Sequence, residues 1–216
     1  MQAGGSTHVW YAAYGSNLFE RRFDYYRKGG NLPGTPRTYP GFRDPTPPRA
    51  ITPLTLPGTI YFAWESPVWT GGVAFYAHRP IKGWPLGAAA RGYLITVEQF
   101  GDLMAQEMYR DPGTAAGFDL GDVVGNGMSK LGEGRYETLL HIADLDRYPV
   151  LAFTSPWDCA AVELNRPSPR YLAMLAAGLV ESHGWTPDDA MDYLTRLPGV
   201  EGFWEPDDLR DLIDAK

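Results

Sequence analysis

The chain has 216 residues, of which 44% are hydrophobic and 21% charged, proportions typical of a globular protein with a substantial core. The formal net charge of −7 at pH 7 argues against a protein that binds nucleic acid through its overall field. The single cysteine, Cys159, excludes an internal disulfide, so we expect a fold that does not depend on oxidation.

The first residues, Met-Gln-Ala-Gly-Gly-Ser-Thr, lack both the basic and the long apolar segments of a secretory signal. No later stretch has the run of apolar residues that a membrane span requires. We therefore expect one domain, residues 1–216, in the cytoplasm, with neither a membrane nor a nucleic acid as partner.

The apolar run from His8 to Tyr14 predicts a strand, and Gly15-Ser16-Asn17 predicts its end. A helix is predicted from Leu18 to about Lys28, stopped by two glycines. Gly15 would permit a sharp turn or the close approach of a ligand, and Ser16 or Asn17 would cap the helix. The N–H groups of this turn, together with the helix dipole, favour binding of a carboxylate or an oxyanion.

Residues 31–58 are rich in Pro, Thr, Gly and Arg and predict a long ordered loop or short edge strands. Strands are predicted at 59–64, 72–77 and 90–96, then a helix at 97–110 that begins with a capping box of Thr96 and Gln99. A Gly-rich connection at 111–134 precedes a pair of antiparallel strands at 137–143 and 150–154. Helices follow at 168–183, after Thr186-Pro187 and, briefly, after Pro206.

Because several strands come first and helices come last, this order favours an α+β domain.

The predicted helix at 97–110 carries an acidic residue on its apolar face. At about 100° per residue, Glu107 returns to within roughly 20° of Phe100, whereas Glu98 and Asp102 point toward solvent. An inward carboxylate is costly unless it is paired or lines a polar cavity. The sequence leaves both possibilities open: a buried ion pair with Arg91 or Arg135, or a functional group in a pocket.

Three segments, in order, resemble motifs of the γ-glutamylcyclotransferase-like superfamily. They are Tyr14-Gly-Ser-Asn-Leu18 after the first strand, Leu103-Met-Ala-Gln-Glu107 in the helix, and Arg166-Pro-Ser-Pro-Arg-Tyr171 followed by Gly178 and Glu181. The resemblance implies a small mixed β-barrel surrounded by helices. One position departs from the family pattern, since Met108 stands where a small residue usually follows the glutamate.

The resemblance also implies an activity that needs no metal or cofactor. A γ-glutamyl amide would cyclise to 5-oxoproline and release an amine, with Glu107 as general acid/base. The substrate-binding residues would be Tyr14, Gly15, Ser16, Asn17, Leu18 and Tyr171. Two alternatives stay open: an amidohydrolase or acyl/amine transferase that uses the same site on another acylated amine, and a non-catalytic binding module of the same fold.

Other catalytic classes have little support in the sequence. The four histidines are scattered without metal-ligand spacing, which argues against a zinc hydrolase. There is no G-x-S-x-G elbow of a serine hydrolase. Cys159 has no histidine nearby in sequence and is interpreted as a buried spectator thiol.

Four tryptophans fall in or near predicted connections: Trp64, Trp69, Trp84 and Trp157. Loops over a rigid scaffold often determine substrate choice, and aromatic side chains offer large contact areas. One hypothesis is therefore a leaving amine bulkier than a single amino acid. The alternative is that these tryptophans only pack the loops onto the core.

Overall fold

The computed structural model describes residues 6–34, 37–114 and 118–204. Its strands are β1 His8–Ala13, β2 Gly30–Asn31, β3 Thr38–Tyr39, β4 Ala50–Leu56, β5 Thr59–Ala63, β6 Val73–Ala77, β7 Ala88–Thr96, β8 Met128–Lys130, β9 Thr138–Leu145 and β10 Tyr148–Thr154. Its helices are a 3-10 helix Ser16–Leu18, then α1 Glu20–Lys28, α2 Val97–Glu107, α3 Leu120–Asn126, α4 Pro169–His183 and α5 Pro187–Thr195.

The α+β prediction is confirmed, and most predicted elements are present. The capping box of Thr96 and Gln99 starts α2 as predicted, and Gly184 ends α4 with φ of 65°. Four elements, β3, β4, α3 and β8, lie in segments that were predicted only as connections or edge strands. The short helix predicted after Pro206 lies outside the described residues.

The main sheet has six strands in the order β4-β7-β1-β10-β9-β8. Strand β1 is antiparallel to β7 and parallel to β10, with Trp10 opposite Val150. The β9–β10 hairpin turns at Asp146 and Arg147, which both have positive φ, as a two-residue hairpin turn of type I′ requires.

The implied barrel is not closed within the described residues. The six-stranded sheet has free edges at β4 and β8, because β5 and β6 form a separate two-stranded sheet and pair with no strand of the larger one. The architecture is therefore α+β with an open mixed sheet. None of the helices in the described part of the chain combines the length and apolar character needed to cross a bilayer.

The chain forms two compact units, each built from separated segments. The first comprises Met1–Ala13, Asp24–Thr52 and Arg91–Pro156, and the second comprises Tyr14–Phe23, Pro53–Ala90 and Trp157–Lys216. In the first unit, Phe100 of α2 stacks on Phe153 of β10 with ring centroids 5.2 Å apart. In the second, the β5–β6 hairpin supplies buried aromatic rings such as Phe62 and Phe75.

Candidate functional site

The predicted substrate-binding turn is a single 3-10 turn in the second unit. The Leu18 N–H donates to the Gly15 carbonyl at 2.9 Å, which places Gly15 at the start of the turn. Neither Ser16 nor Asn17 caps it through a side chain, contrary to the prediction. The reason is that helix α1 starts only at Glu20, after the intervening Phe19 adopts an extended conformation.

Helix α4 presents Tyr171 to this turn. Ser168 caps the helix by accepting from the Tyr171 N–H, so the tyrosine lies in the first turn. Its hydroxyl accepts a hydrogen bond from the Ala74 N–H at 3.3 Å, and its ring stacks on Trp69 with centroids 5.2 Å apart. Tyr171 is therefore held at both ends and is 3% exposed.

Glycine is needed at position 15 because the Tyr171 hydroxyl lies close to its backbone, not because the backbone has a left-handed conformation. Its φ is −103°, which other residues adopt. A Cβ atom at this position would lie 3.3 Å from the Tyr171 hydroxyl oxygen, closer than most real contacts. The first and third motifs of the resemblance thus meet in one unit, with the glycine directly beside the tyrosine.

The remaining two motif residues of α4 hold the turn in place. A Cβ on Gly178 would lie 2.6 Å from both the Leu18 Cβ and the Phe19 nitrogen, so only glycine lets helix and turn come this close. One turn later, the Glu181 carboxylate accepts from the Glu20 N–H at 3.2 Å. This carboxylate supplies the helix cap that was predicted for Ser16 or Asn17.

Tyr14, the first residue of the motif, is also part of this assembly. It is 7% exposed and packs against Tyr76 of β6 with centroids 5.9 Å apart. All six predicted substrate-binding residues, Tyr14 to Leu18 and Tyr171, therefore belong to the second unit.

Glu107, the predicted general acid/base, lies in the first unit as the last residue of α2. It is half-buried, whereas Asp102 is 1% exposed. The prediction that Asp102 faces solvent is wrong, because a loop covers that side of the helix. Only Glu98 of the two residues assigned to the outer face is exposed.

The charged neighbour of Glu107 is Arg37, a residue that the sequence analysis did not single out. Burial lowers the pKa of the Arg37 guanidinium, but the phenols of Tyr26 and Tyr39 and the Glu107 carboxylate outweigh burial and raise it. The alternatives considered from the sequence were Arg91 and Arg135. Arg37 lies in a Pro-rich loop without periodicity, so no local pattern links it to α2.

Aromatic rings fix the position of Arg37. Its guanidinium carbon lies 4.5 Å from the ring centroid of Tyr39 and 4.4 Å from that of Tyr109. One guanidinium nitrogen also donates to the backbone carbonyl of Gln106. Arginine stacked between two aromatic faces has little conformational freedom, so the cation beside Glu107 is held in place.

Three polar side chains of α2, Gln99, Asp102 and Gln106, form a polar seam with the segments that cover this side of the helix. Gln99 donates to the carbonyls of Asp44 and Thr46. Asp102 accepts from the Arg43 backbone and side chain and from Gly113. Gln106, a motif residue, donates to the carbonyls of Tyr26 and Gly41. Its observed contacts are therefore those of a structural residue.

The four tryptophans divide into two pairs. Trp69 packs on Tyr171, and the ring centroid of Trp84 lies 5.4 Å from that of Tyr61. Both contacts are those expected if these tryptophans only pack loops onto the core. Trp64 and Trp157 instead line a cleft of about 480 Å³ in the second unit. The hypothesis of a bulky leaving amine stays a prediction.

Cys159 is half-buried rather than fully buried. Burial, and then the neighbouring Asp158 carboxylate, raise the pKa of its thiol, which disfavours the thiolate that a nucleophile needs. Among the described residues, no group of three or more His, Cys, Asp and Glu side chains is arranged to hold a metal ion.

Comparison with known sequences gives one curated match and no family assignment. No protein-family model matches the chain. The chain is 28% identical over 202 residues to a protein of Arabidopsis thaliana named histone deacetylase 5. The match covers 87% of this chain and 30% of the plant protein, so the chain spans less than a third of that relative.

Two of the solved structures to which this chain is similar share 15% sequence identity with it. One is titled gamma-glutamyl cyclotransferase, with a TM-score of 0.48, and the other is an uncharacterized protein from Homo sapiens, with a TM-score of 0.47. Each match covers 97% of this chain and 99% of the solved chain.

Proposed function

We propose that this chain is a γ-glutamylcyclotransferase-like enzyme that cleaves a γ-glutamyl amide by intramolecular cyclisation. The observation that carries the proposal is the packing of Gly15 against the Tyr171 hydroxyl, 3.3 Å from the position of a Cβ atom. Two motifs more than 150 positions apart in the chain are built into one compact assembly, which supports a shared role in binding. A cytoplasmic location is part of the same proposal.

In this mechanism the substrate's α-amino group attacks its own γ-carbonyl carbon. A new C–N bond closes the five-membered ring, and the original amide C–N bond breaks to release the amine. Glu107 takes a proton from the attacking ammonium group and later gives it to the leaving nitrogen. Because both reacting groups belong to one bound molecule, correct positioning supplies much of the rate enhancement.

The turn would bind the glutamyl portion through its backbone. The Leu18 N–H is already engaged inside the turn, so we assign the contact with a carboxylate or carbonyl oxygen to the backbone of Gly15 and Ser16. Fixed N–H donors stabilise a developing oxyanion. The glycine keeps this backbone accessible beside Tyr171.

The test is incubation with a panel of γ-glutamyl amines, followed by mass spectrometry for 5-oxoproline. We expect 5-oxoproline and the free amine in equal amounts for at least one substrate. Release of glutamate instead would indicate the amidohydrolase alternative, and a γ-glutamyl product formed with an added amine would indicate the transferase. Absence of all three products across the panel would contradict an enzymatic role.

One observation favours a second candidate, a non-catalytic binding module. The Arg37 guanidinium, which lies over the rings of Tyr39 and Tyr109, attracts the Glu107 carboxylate, as a structural ion pair would. In that case the Glu107 side chain serves stability. The Arg37→Ala variant separates the two candidates: a module stays inactive and loses stability, whereas an enzyme changes its turnover.

A further inference from the structure

The cleft lined by Trp64 and Trp157 lies on a different face of the β5–β6 hairpin from the Tyr171 assembly. Phe62 contacts Tyr171, with ring centroids 6.1 Å apart. Phe75, which is paired with Tyr61 in the hairpin, contacts Trp157 at 5.0 Å. Successive strand residues point to opposite faces of a sheet, so Phe62 and Tyr61 lie on opposite faces of the hairpin. Phe75 shares the face of its partner Tyr61, and Trp157 therefore packs on the face opposite Tyr171. The cleft is therefore a separate feature from the turn.

The walls of the cleft are fixed by hydrogen bonds to the end of β5. Leu164 forms a bridge with Ala63, and the Asn165 N–H donates to the Phe62 carbonyl at 3.0 Å. The Asn165 side-chain amide donates to the Trp64 carbonyl at 2.8 Å and to the Glu65 carboxylate at 2.9 Å. This wall is held in place without a ligand.

Trp64 is presented to the cleft in an unusual conformation. Its φ is 62°, a value that bulky residues rarely adopt and that persists only where surrounding structure enforces it. The residue is nevertheless 41% exposed. A large aromatic side chain is therefore partly exposed at the edge of the cleft.

The cleft combines aromatic faces with negative charge. The lining residues are Trp64, Trp157, Val162, Glu163, Leu164 and Asn165, none of them cationic. Within the described part of the chain, no hydrogen bond or ion pair engages the Glu163 carboxylate. Hydrogen bonds from Gly71 and then from Asn165, which lines the cleft, lower the pKa of the Glu65 carboxyl, so this group is ionised at neutral pH.

We propose that this cleft is a binding site for a small organic ammonium ion. Tryptophan faces attract such cations through the ring quadrupole, the carboxylates supply opposite charge, and Val162 and Leu164 contact the alkyl groups. The volume of about 480 Å³ lies in the range of small-molecule sites. The proposal does not depend on the enzymatic function.

The experiment compares choline with its uncharged carbon analogue by calorimetry and by NMR of the tryptophan indole N–H signals. We expect choline to bind at least about tenfold more tightly than the analogue, because only the cation gains the ring and carboxylate interactions. We expect choline to shift the indole signals of Trp64 and Trp157, and its affinity to fall at high salt.

Two variants locate the site. Glu163→Gln keeps the shape of the side chain and should weaken choline binding by about fivefold, and Trp64→Leu should weaken it further. The matched control is Glu201→Gln, an exposed glutamate of the same unit that does not line the cleft; its affinity should equal that of the parent. Glu163 is exposed, so its variant is informative even if Trp64→Leu fails to fold.

Three results would overturn the proposal: no saturable choline binding, equal affinity for the uncharged analogue, or undiminished binding in folded Glu163→Gln. The second result would mean that the cleft recognises apolar shape alone. Because no turnover is measured, failure here leaves the proposed enzymatic function unaffected.

Discussion

Gly15 and Tyr171 are coupled by a single close approach, which makes their variants interdependent. In Gly15→Ala the new methyl group would press on the Tyr171 hydroxyl and weaken its hydrogen bond with the Ala74 N–H. We expect weaker binding of a γ-glutamyl substrate analogue with only a small loss of stability. Thermal shifts with and without the analogue measure both effects.

Tyr171→Phe provides the matched second change. It removes the oxygen that the methyl group meets, so Gly15→Ala should cost less in this background than in the parent chain. Equal costs in both backgrounds would mean that the close approach is irrelevant to binding.

Glu107→Gln tests the proposed acid/base group. The amide keeps the size of the carboxylate but cannot accept the proton, so we expect turnover to fall by at least about a hundredfold with the fold retained. The control is Glu98→Gln, a change at an exposed position of the same helix. Near-normal 5-oxoproline formation by folded Glu107→Gln would remove Glu107 from the mechanism.

For individual residues, the sequence identified the motif positions but not all of the neighbours and the burial of the residues around them. A helical pattern indicates one buried face, and Phe100, Leu103 and Met104 are buried as expected. It cannot report a loop that covers the other face, so Asp102 was placed in solvent. Arg37 was missed for a related reason, since it reaches the Gln106 carbonyl from 69 positions away.

Helix α4 acts as the support of the turn, and Gly178 is its closest contact. In an ordinary helix, Gly→Ala stabilises by about 0.5–1 kcal/mol. Here the methyl group would overlap the Leu18 Cβ, so we expect Gly178→Ala to destabilise instead, by about 1–3 kcal/mol. Denaturant unfolding gives the sign directly. A stabilised variant would show that the helix and the turn are not in close contact.

The polar seam should stabilise the loop over α2. Asp102→Ala leaves the N–H groups of Arg43 and Gly113 without their acceptor, and we expect a loss of about 2–4 kcal/mol in the free energy of unfolding. Glu98→Ala, at the exposed position of the same helix, should change it little. Comparable losses in both variants would indicate a general effect on the helix rather than on the seam.

Elements with strong local signals were predicted, and elements that depend on partners were not. Pro169 and Gly184 bracket α4, and alternation with turn residues marks the β9–β10 hairpin. Strand β4, with Pro53 and several exposed residues, lies in a segment whose composition predicted a loop or short edge strands without deciding between them. It becomes a strand only because β7 supplies hydrogen-bond partners.

Across the whole molecule there is one thiol, and its reactivity should follow its raised pKa. The thiolate reacts with alkylating agents, so at pH 7 Cys159 should react more slowly than a free thiol, because burial and Asp158 both disfavour ionisation. The rate should rise by about tenfold per pH unit until the raised pKa is reached. Rapid labelling of the folded protein near neutral pH would contradict this environment.

The fold class was predictable from the order of elements, but the arrangement of the sheet was not. Strand composition does not specify which strands become neighbours, so the parallel pairing of β1 with β10 had no signal in the sequence. For the same reason the sequence could not test the barrel that the resemblance implied. Among the described residues the sheet is open, with free edges at β4 and β8.

The parallel pairing of β1 with β10 has a consequence for synthesis of the protein. Trp10 leaves the ribosome long before its partner Val150 is synthesised. The Glu20 N–H likewise has its acceptor, the Glu181 carboxylate, 161 positions later in the chain. Contacts of such long range slow folding, since the chain must close large loops first. The edge of β1 that faces β10 therefore stays unpaired until β10 has been synthesised, even after β7 can pair with the other edge, and in this interval assistance from a chaperone would matter most.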